Sequence, residues 1–242
     1  MNLIIFSEKD VIANTASTVR IQLGGRQLNH LLSVHKAEPN SVLRVGQLNG
    51  KLGQGRVVSI NEQAAILDVT LHQAPPTPLP LTLVLALPRP KMMRRIINSI
   101  SMLGVKDLYL IHSYRVDKSY WSTPFLQPEA LHEQLLLGLE QSIDTQLPNI
   151  HLRKRFKPFV EDELPLLCSN KRAMVAHPYD AQPCPPSSLE ESILAIGPEG
   201  GFIPYEIDKL QEAGMQTIEI GQRILRVETA VTALLSRLFP VI

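Results

Sequence analysis

The feature that most constrains the fold of this chain is a proline-rich segment. The segment "HQAPPTPLP", His72–Pro80, contains four prolines in nine residues. Proline fixes φ and lacks a backbone N–H, so this segment cannot form a helix or an interior strand and favours an extended spacer. At 242 residues the chain is long enough for one large domain or two smaller ones. We therefore predict a domain at 1–72, a linker at 73–80 and a second domain at 81–242.

The part before the prolines has the pattern of short strands. The candidate strands, each bounded by glycine or polar residues, are "TVRIQL", "SVLRVGQLN", "GRVVSI" and "AILDVTL". One helical stretch, "RQLNHLLSVH", interrupts them. About seventy residues with four or five short strands predict a small β-barrel.

The part after the prolines alternates between strands and helices. "LTLVLALP" is a continuous apolar run, as expected of a strand that is buried on both faces. It is followed by the helical spacing of "KMMRRIINSISML" and by a second strand, "KDLYLIHS", which together make a βαβ unit. Further on, the pattern predicts helices at "PEALHEQLLLGLEQSI", "PYEIDKLQEAG" and "VETAVTALLSRL", and strands at "RAMVAHP", "SILAIG" and "QTIEIG". Residues 81–242 therefore predict an α/β domain with a mainly parallel sheet.

Positive charge is concentrated locally, although the chain as a whole is nearly neutral. The net charge is +1, from 24 basic and 23 acidic residues, which argues against a generic nucleic-acid binder. Basic side chains nevertheless cluster at two places, and the candidate phosphate contacts are Arg89, Lys91, Arg94, Arg95, Arg115, Arg153, Lys154 and Arg155. Such clusters suit a polyanion that contacts one face, and they are equally typical of ordinary solvated surface.

The composition also suggests a compartment. No apolar run approaches the roughly 18 residues that span a membrane, and the apolar stretch near the N-terminus is too short for a secretory signal. Two cysteines, Cys168 and Cys184, are too few for a disulfide framework or a zinc site. We expect a cytoplasmic protein with reduced thiols and without a metal.

Two strand–loop–helix units near the C-terminus suggest a ligand site. They read "SILAIG-PEGGF-IPYEIDKL" and "TIEIG-QRILR-VETAVTALL", and in a parallel sheet both loops leave at the carboxyl edge, where ligands bind. Gly197, Gly200 and Gly201 can adopt positive φ and place no side chain between backbone and ligand, although a tight turn alone would also explain them. A phosphate loop needs a lysine and a hydroxyl after its glycines. Here Glu199 would repel a triphosphate and would accept a neutral or cationic nucleoside.

The segment "RILRVETA" allows two interpretations. Arg223 and Arg226 precede a helix whose first turn contains Glu228 and Thr229. Glu228 can complement the helix dipole, and an arginine can simply pair with it. Alternatively, Arg226 points into the same crevice as the glycine loop and contacts a base or a phosphate.

Together, "IGPEGGF" and "IGQRILRVETA" resemble the signature of the RsmE family of ribosomal RNA methyltransferases. The segments "HLLSVHK" with His30, "LGV" at 103–105, "SYR" at 113–115, "EQS" at 140–142 and "HP" at 177–178 are similar to further groups of that family. The resemblance covers nearly the whole chain. It implies an S-adenosylmethionine-dependent enzyme of the SPOUT class that methylates N3 of a uridine in the 16S rRNA of the small ribosomal subunit.

The resemblance also implies an architecture and a site. The implied architecture is a PUA-like β-barrel for RNA binding followed by a SPOUT α/β domain with a C-terminal trefoil knot, assembled as a homodimer. The implied cofactor contacts are His177, Pro178, Ile196, Gly197, Gly200, Gly201, Ile220, Gly221, Ile224 and Leu225. We expect Arg226 to orient the uracil or to stabilise its developing enolate oxygen, with Glu228 and Thr229 holding Arg226. The sequence identifies no general base.

Several positions depart from the family pattern. Ser99 and Met102 stand where the family usually has lysine and glutamate, Tyr114 stands in place of a glutamate, and Asp144 lies near a usual arginine. Ile203 replaces a serine, so we expect the next helix to lose its usual cap, with Pro204 as partial compensation. Two alternatives stay open: a non-catalytic RNA-binding or ribosome assembly factor that kept the fold, and the same chemistry on a different RNA.

Overall fold

A computed structural model of the chain describes residues 2–15 and 18–240. The chain divides into two compact units. The first comprises the described residues up to Thr77 together with Leu136–Leu147, and the second comprises Pro78–Leu135 and the described residues from Pro148 onward. The division at Thr77 lies within the proline-rich segment. The sequence pattern gave no sign that 136–147 would group with the first unit.

The first unit is built on a six-stranded sheet. Its strands are β1 (Ile4–Phe6), β2 (Val11–Asn14), β3 (Val19–Leu23), β4 (Val42–Gln47), β5 (Leu52–Ile60) and β6 (Ala65–Gln73). The strand order is β1-β4-β5-β6-β3-β2, with β1 and β4 parallel and the other pairs antiparallel. Burial alternates at the start of β6, so that Ala65, Leu67 and Val69 face the core. The four predicted strands are confirmed. β1 and β2 were missed because three or four residues are too few to show alternation.

The predicted helical stretch of this unit is also present. It forms helix α1 (Gly25–His30) and a π-helical turn at Leu31–His35, whose Leu28 and Leu31 are buried in the core. Residues 136–147 join the unit because Leu139 packs in an apolar cluster with Leu3, Ile5 and Leu52.

A buried carboxylate accompanies that cluster. Glu140 is 2% exposed, and its two carboxylate oxygens accept hydrogen bonds from the Arg26 guanidinium at 2.7 and 2.8 Å. A buried carboxylate needs such a partner to offset its desolvation, so this pair ties residues 136–147 to α1.

The second unit is built on a seven-stranded sheet. Its strands are β7 (Leu81–Ala86), β8 (Asp107–Ile111), β9 (Asn149–Arg153), β10 (Arg172–Ala176), β11 (Gln182–Pro183), β12 (Ser192–Ile196) and β13 (Gln216–Glu219). The order is β11-β13-β10-β12-β7-β8-β9, and every pairing in it is parallel. β7 and β12 are buried along their whole length, as their continuous apolar sequences predict. The α/β prediction is therefore confirmed.

The helices after the proline-rich segment can be explained by the spacing of their apolar residues and by the residues at their ends. They are α2 (Pro90–Met102), α3 (Pro128–Ser142), α4 (Phe156–Pro158), α5 (Leu164–Cys168), α6 (Pro204–Glu212) and α7 (Val227–Leu238), with a π-helical turn at Phe159–Glu163 between α4 and α5. α2 begins with a proline, buries Met93, Ile96, Ile97 and Ile100, and is followed by Gly104 at φ +83°. None of the helices in the described ranges has the length and apolar character needed to cross a membrane.

The two cysteines are free thiols that lie outside the cavity described below. Burial raises the pKa of the Cys168 thiol to about 11, and it also raises the pKa of the Cys184 thiol. Both thiols are therefore protonated at neutral pH, the state in which cysteine is a poor nucleophile.

Candidate active site

A cavity of about 580 Å³ opens at the carboxyl edge of the parallel sheet. Three neighbouring strands, β13, β10 and β12, end there, and the loops that follow them supply most of the wall. The volume lies within the range of about 300–1,000 Å³ that is typical of cofactor sites. The wall contains all of the residues that the family resemblance assigned to the cofactor: His177, Pro178, Ile196, Gly197, Gly200, Gly201, Ile220, Gly221, Ile224 and Leu225.

Two of the glycines after β12, Gly197 and Gly201, are required by the loop itself, and Gly200 packs against the side chain of Arg115. A Cβ added at Gly197 would lie 3.1 Å from the amide nitrogen of Phe202, and one added at Gly200 would lie 2.9 Å from Cδ of Arg115. Gly201 has φ +74°, and its N–H donates to the carbonyl of Pro198 at 2.7 Å. The two explanations considered for these glycines are thus compatible, because the same tight turn also presents bare backbone to the cavity.

Glu199 connects the glycine loop to the helix that follows β7. Its Oε1 accepts a hydrogen bond of 3.0 Å from the backbone N–H of Arg89, the residue that caps the N-terminus of α2. A carboxylate at a helix N-terminus is electrostatically favourable. Glu199 therefore has a positioning role, besides making the loop unsuitable for a phosphate.

Glu206 does not line the cavity, but it holds two backbone segments next to it, and sequence analysis missed this role. It is 2% exposed on α6, where Oε1 accepts from the Tyr114 N–H at 2.7 Å and Oε2 accepts from the Ile203 N–H at 3.0 Å. As expected, the N-cap residue Ile203 makes no side-chain cap hydrogen bond and Pro204 stands in the first turn. Glu206 adds a further compensation that was not expected, because its side chain reaches back to the Ile203 N–H. A glutamate at the third position of a predicted helix was the available signal.

Arg115 and His177 add two different side chains to the wall. Arg115 Nη1 donates to the carbonyl of Gly200, so the turn after β8 is fastened to the glycine loop. Burial lowers the pKa of His177, with Asp180 acting in the opposite direction. The imidazole is therefore neutral at neutral pH and adds no positive charge to the cavity.

The three predicted catalytic residues lie at the start of α7 and do not line the cavity. Arg226 is the N-cap residue with an exposed side chain, and its carbonyl accepts from the Ala230 N–H at 2.8 Å. Its neighbours Leu225 and Val227 do line the cavity, as does Arg223. Glu228 is half-buried and Thr229 is exposed. These three residues are therefore close in sequence to residues that line the cavity, but they do not line it themselves.

The predicted phosphate contacts follow the same edge of the sheet. Arg89 follows β7, Arg115 follows β8, and Arg153, Lys154 and Arg155 stand at the end of β9. β7, β8 and β9 continue the sheet beyond β12, so these residues extend from the cavity along its carboxyl edge.

The other three basic residues, Lys91, Arg94 and Arg95, are exposed on α2. Besides Arg115, which is bonded to the Gly200 carbonyl, two of the eight residues have structural partners. Arg153 Nε donates to both carboxylate oxygens of Glu163 at 2.8 Å, and Arg94 lies over the ring of Phe125 at 5.5 Å. The part of the chain that the structure describes holds no cluster of three or more histidine, cysteine or acidic side chains that could bind a metal ion.

Comparison with known proteins identifies the family. A family model described as an RNA methyltransferase domain matches residues 75–239. Ribosomal RNA small subunit methyltransferase E of Treponema pallidum is 26% identical over 245 residues, covering 96% of this chain and 88% of the relative. The same enzyme of Synechocystis is 27% identical over 246 residues, covering 97% of this chain and 76% of the relative. The chain belongs to the RsmE family of RNA methyltransferases.

A solved RsmE structure has the same fold. The crystal structure of the enzyme from Neisseria gonorrhoeae, bound to S-adenosylmethionine, superposes with a TM-score of 0.76 at 20% identity, covering 98% of this chain and 95% of the other. The family assignment made from the two glycine-loop motifs is confirmed.

Proposed function

We propose that this protein is an S-adenosylmethionine-dependent methyltransferase that modifies N3 of a uridine in 16S rRNA of the small ribosomal subunit. One observation carries the proposal: three loops of adjacent parallel strands form a single cavity that contains every residue that the RsmE motifs assign to the cofactor. The RsmE relatives named above and the cofactor in the Neisseria structure support it.

The chemistry of the wall fits this cofactor. Gly197, Gly200 and Gly201 leave backbone accessible to an adenosine. The carboxylates of Glu199 and Glu219 offset the positive charges of Arg115 and Arg223 in the same wall, so a cationic ligand meets no net repulsion there. His177, held neutral by burial, adds no repulsion. When bound, S-adenosylmethionine supplies the electrophilic methyl group.

The task left to the protein is to hold uracil and to help remove the N3 proton. We assign Arg226, which is exposed next to the cavity-lining Leu225 and Val227, to the uracil oxygen on which negative charge develops as that proton leaves. A guanidinium stabilises such charge once the bound uridine excludes water from it. Glu228 and Thr229 on the first turn of α7 would hold Arg226. Uridine would reach the cavity unstacked from its neighbours.

The basic residues of the carboxyl edge are assigned to the RNA backbone. Arg89, Arg115, Lys154 and Arg155 come from the ends of three adjacent strands, so they can follow a strand of phosphates that leads to the cavity. For the first unit we propose a PUA-like RNA-binding domain, and its largely antiparallel six-stranded sheet supports this assignment.

Two finer features of the fold are also proposals. A trefoil knot in the second unit is supported by the position of β10 between β12 and β13, and by α7, whose Leu238 carbonyl accepts from the N–H of Ser188 before β12. A homodimer is supported by Ile224, an apolar wall residue that is 74% exposed in the single chain. A second copy would cover that side chain.

Calorimetric titration with S-adenosylmethionine tests the cofactor assignment. The wild-type protein should bind, and Gly197→Val should bind at least about tenfold more weakly, because a side chain there meets the backbone nitrogen and the ring of Phe202. Gly24→Val is the matched control, since a Cβ at Gly24 meets nothing within 4 Å. A wild-type protein that binds no cofactor would contradict the proposal and favour the non-catalytic RNA-binding alternative.

A further inference from the structure

Tyr114 has an unusual position for an aromatic residue. Its side chain is 77% exposed, although it stands between the fully buried Ser113 and the cavity-lining Arg115. The family pattern leads one to expect a glutamate here, so this ring is a property of this chain. The exposed ring contributes little to the stability of the fold, because apolar surface stabilises a protein only when it is removed from water.

The backbone that carries Tyr114 is held firmly. The Tyr114 N–H donates to the buried carboxylate of Glu206 at 2.7 Å, and the Val116 N–H donates to the Ser113 carbonyl at 3.0 Å. The guanidinium of Arg115 is bonded to the carbonyl of Gly200. The turn is therefore fixed against both the glycine loop and α6, and the ring is presented beside the cavity with little backbone freedom left to lose on binding.

The two strands that flank β8 lead into basic residues. β8 lies between β7 and β9 in the sheet, and these two strands lead into Arg89 on one side and into Lys154 and Arg155 on the other. All three side chains are exposed. An exposed aromatic ring among cations that can contact phosphates is the usual arrangement for binding single-stranded nucleic acid.

We propose that Tyr114 is a stacking platform for an unpaired RNA base beside the target uridine. The ring offers its face to the base, while Arg115, Lys154 and Arg155 contact the adjoining phosphates. This inference rests on the proposed function and adds a specific substrate contact to it. It also accounts for the clamped turn, since a platform stabilises a base only if the platform itself does not move.

The test is equilibrium binding of fluorescently labelled small ribosomal subunits to the full-length protein and its variants. Tyr114→Ala and the similarly sized Tyr114→Leu should each weaken binding about tenfold, because both remove the aromatic face. Tyr114→Phe should bind within about twofold of the wild type, since it keeps the face. Leu166→Ala is a control for loss of an exposed apolar side chain, because Leu166 is 78% exposed on α5. That helix precedes β10 and so stands at the amino edge of the sheet, whereas Tyr114 follows β8 at the carboxyl edge.

The outcomes separate this inference from the proposed function. Thermal midpoints and affinity for S-adenosylmethionine should be unchanged in all four variants, which shows that neither folding nor the cofactor site is disturbed. Tyr114→Leu or Tyr114→Ala binding as tightly as the wild type would overturn the platform, and so would a wild-type protein that does not bind the subunits. Loss of binding in Tyr114→Phe equal to that in Tyr114→Ala would also overturn it. Failure of the proposed function would appear instead as a wild-type protein that binds subunits but transfers no methyl group.

Discussion

At the scale of single residues, three carboxylates organise the loops of the site. Glu199 accepts from the N–H of Arg89, Glu206 from those of Tyr114 and Ile203, and Glu219 from that of Gly221 at 2.6 Å. Loops cannot satisfy their backbone N–H groups in a ladder, and unpaired buried donors are costly. These glutamates supply the missing acceptors and so hold the loops in position.

Removing the Glu206 carboxylate should destabilise the second unit. Glu206→Ala leaves two backbone donors without their partner, and we expect a loss of about 2–4 kcal/mol in the free energy of unfolding. Glu206→Gln keeps one acceptor oxygen and should lose roughly half as much. Urea denaturation measures both. A loss below about 0.5 kcal/mol in Glu206→Ala, the level of an ordinary surface substitution, would contradict the role.

Removing the Arg226 side chain should separate catalysis from cofactor binding. Arg226→Ala should lower kcat by about 100-fold or more, while the Kd for S-adenosylmethionine stays nearly constant because this side chain does not line the cavity. Arg237→Ala, an exposed arginine on the last turn of the same helix, is the matched control. Single-turnover methylation of small subunits gives the rate, and near-normal turnover would remove Arg226 from the mechanism.

Sequence reasoning found residues with local signatures and missed those with distant partners. The cavity residues after β12 and β13 were predicted because glycine spacing and family motifs are contiguous along the chain. The bond of Glu206 to Tyr114 was missed because the two residues lie 92 positions apart, and no local pattern encodes that contact. Its bond to Ile203 did have a local signal, the glutamate at the third helical position, which was overlooked. Arg223 was noted but given no role, since a sequence does not show which of two nearby arginines faces a cavity.

At the scale of elements, the two longest strands depend on one glycine. The pairing of β5 with β6 shifts register between Leu52 and Gly53, and a Cβ at Gly53 would overlap the carbonyl oxygen of Thr70. A glycine at such a bulge lets the neighbouring backbone approach closely.

Gly53→Ala should therefore lower the free energy of unfolding of the first unit by about 2 kcal/mol or more, because β6 must move away from β5. Gly24→Ser provides the control, since its site is open and serine is favoured at the N-cap of α1. Urea denaturation, monitored by hydrogen exchange of the backbone amides of β5 and β6, measures the change in the free energy of unfolding. Equal stability of the two variants would show that the bulge tolerates a side chain.

Elements with a strong period were predicted well, and weakly patterned ones were not. The sequence "VETAVTALLSRL" coincides with α7 because its apolar residues recur at helical spacing and are buried. β9 was seen only as a basic segment, because an edge strand that is half exposed has no continuous apolar run. The grouping of 136–147 with the first unit could not be predicted, since an amphipathic pattern does not say which core it faces.

At the scale of the whole molecule, a net charge of +1 conceals an ordered distribution. Five of the eight basic residues that cluster in the sequence follow the ends of β7, β8 and β9, because parallel strands bring all of their carboxyl ends to one edge, and the other three lie on α2. The clusters can be seen in the sequence. Their alignment with the cavity depends on the order of the strands, which no local sequence pattern specifies.

The salt dependence of RNA binding should reflect this edge. A Lys154→Ala/Arg155→Ala double variant removes two exposed cations, and the slope of log K against log salt concentration should become less steep by about 1.4. Lys209→Ala, whose ammonium is paired with Glu212 on α6, should leave the slope unchanged. Binding of small subunits between low and physiological salt measures the slope, and equal slopes for the double variant and the wild type would exclude these residues from the interface.

The central claim is that the cavity directs a methyl group to N3 of a uridine in the small ribosomal subunit. The most direct measurement incubates the protein and S-adenosylmethionine with assembled small subunits from cells that lack their own N3-uridine methyltransferase, followed by digestion and mass spectrometry of the nucleosides. We predict 3-methyluridine with the wild-type protein and at least about 100-fold less with Arg226→Ala in the same reaction time. Absence of 3-methyluridine from a reaction in which the wild-type protein demonstrably binds the cofactor would contradict the claim.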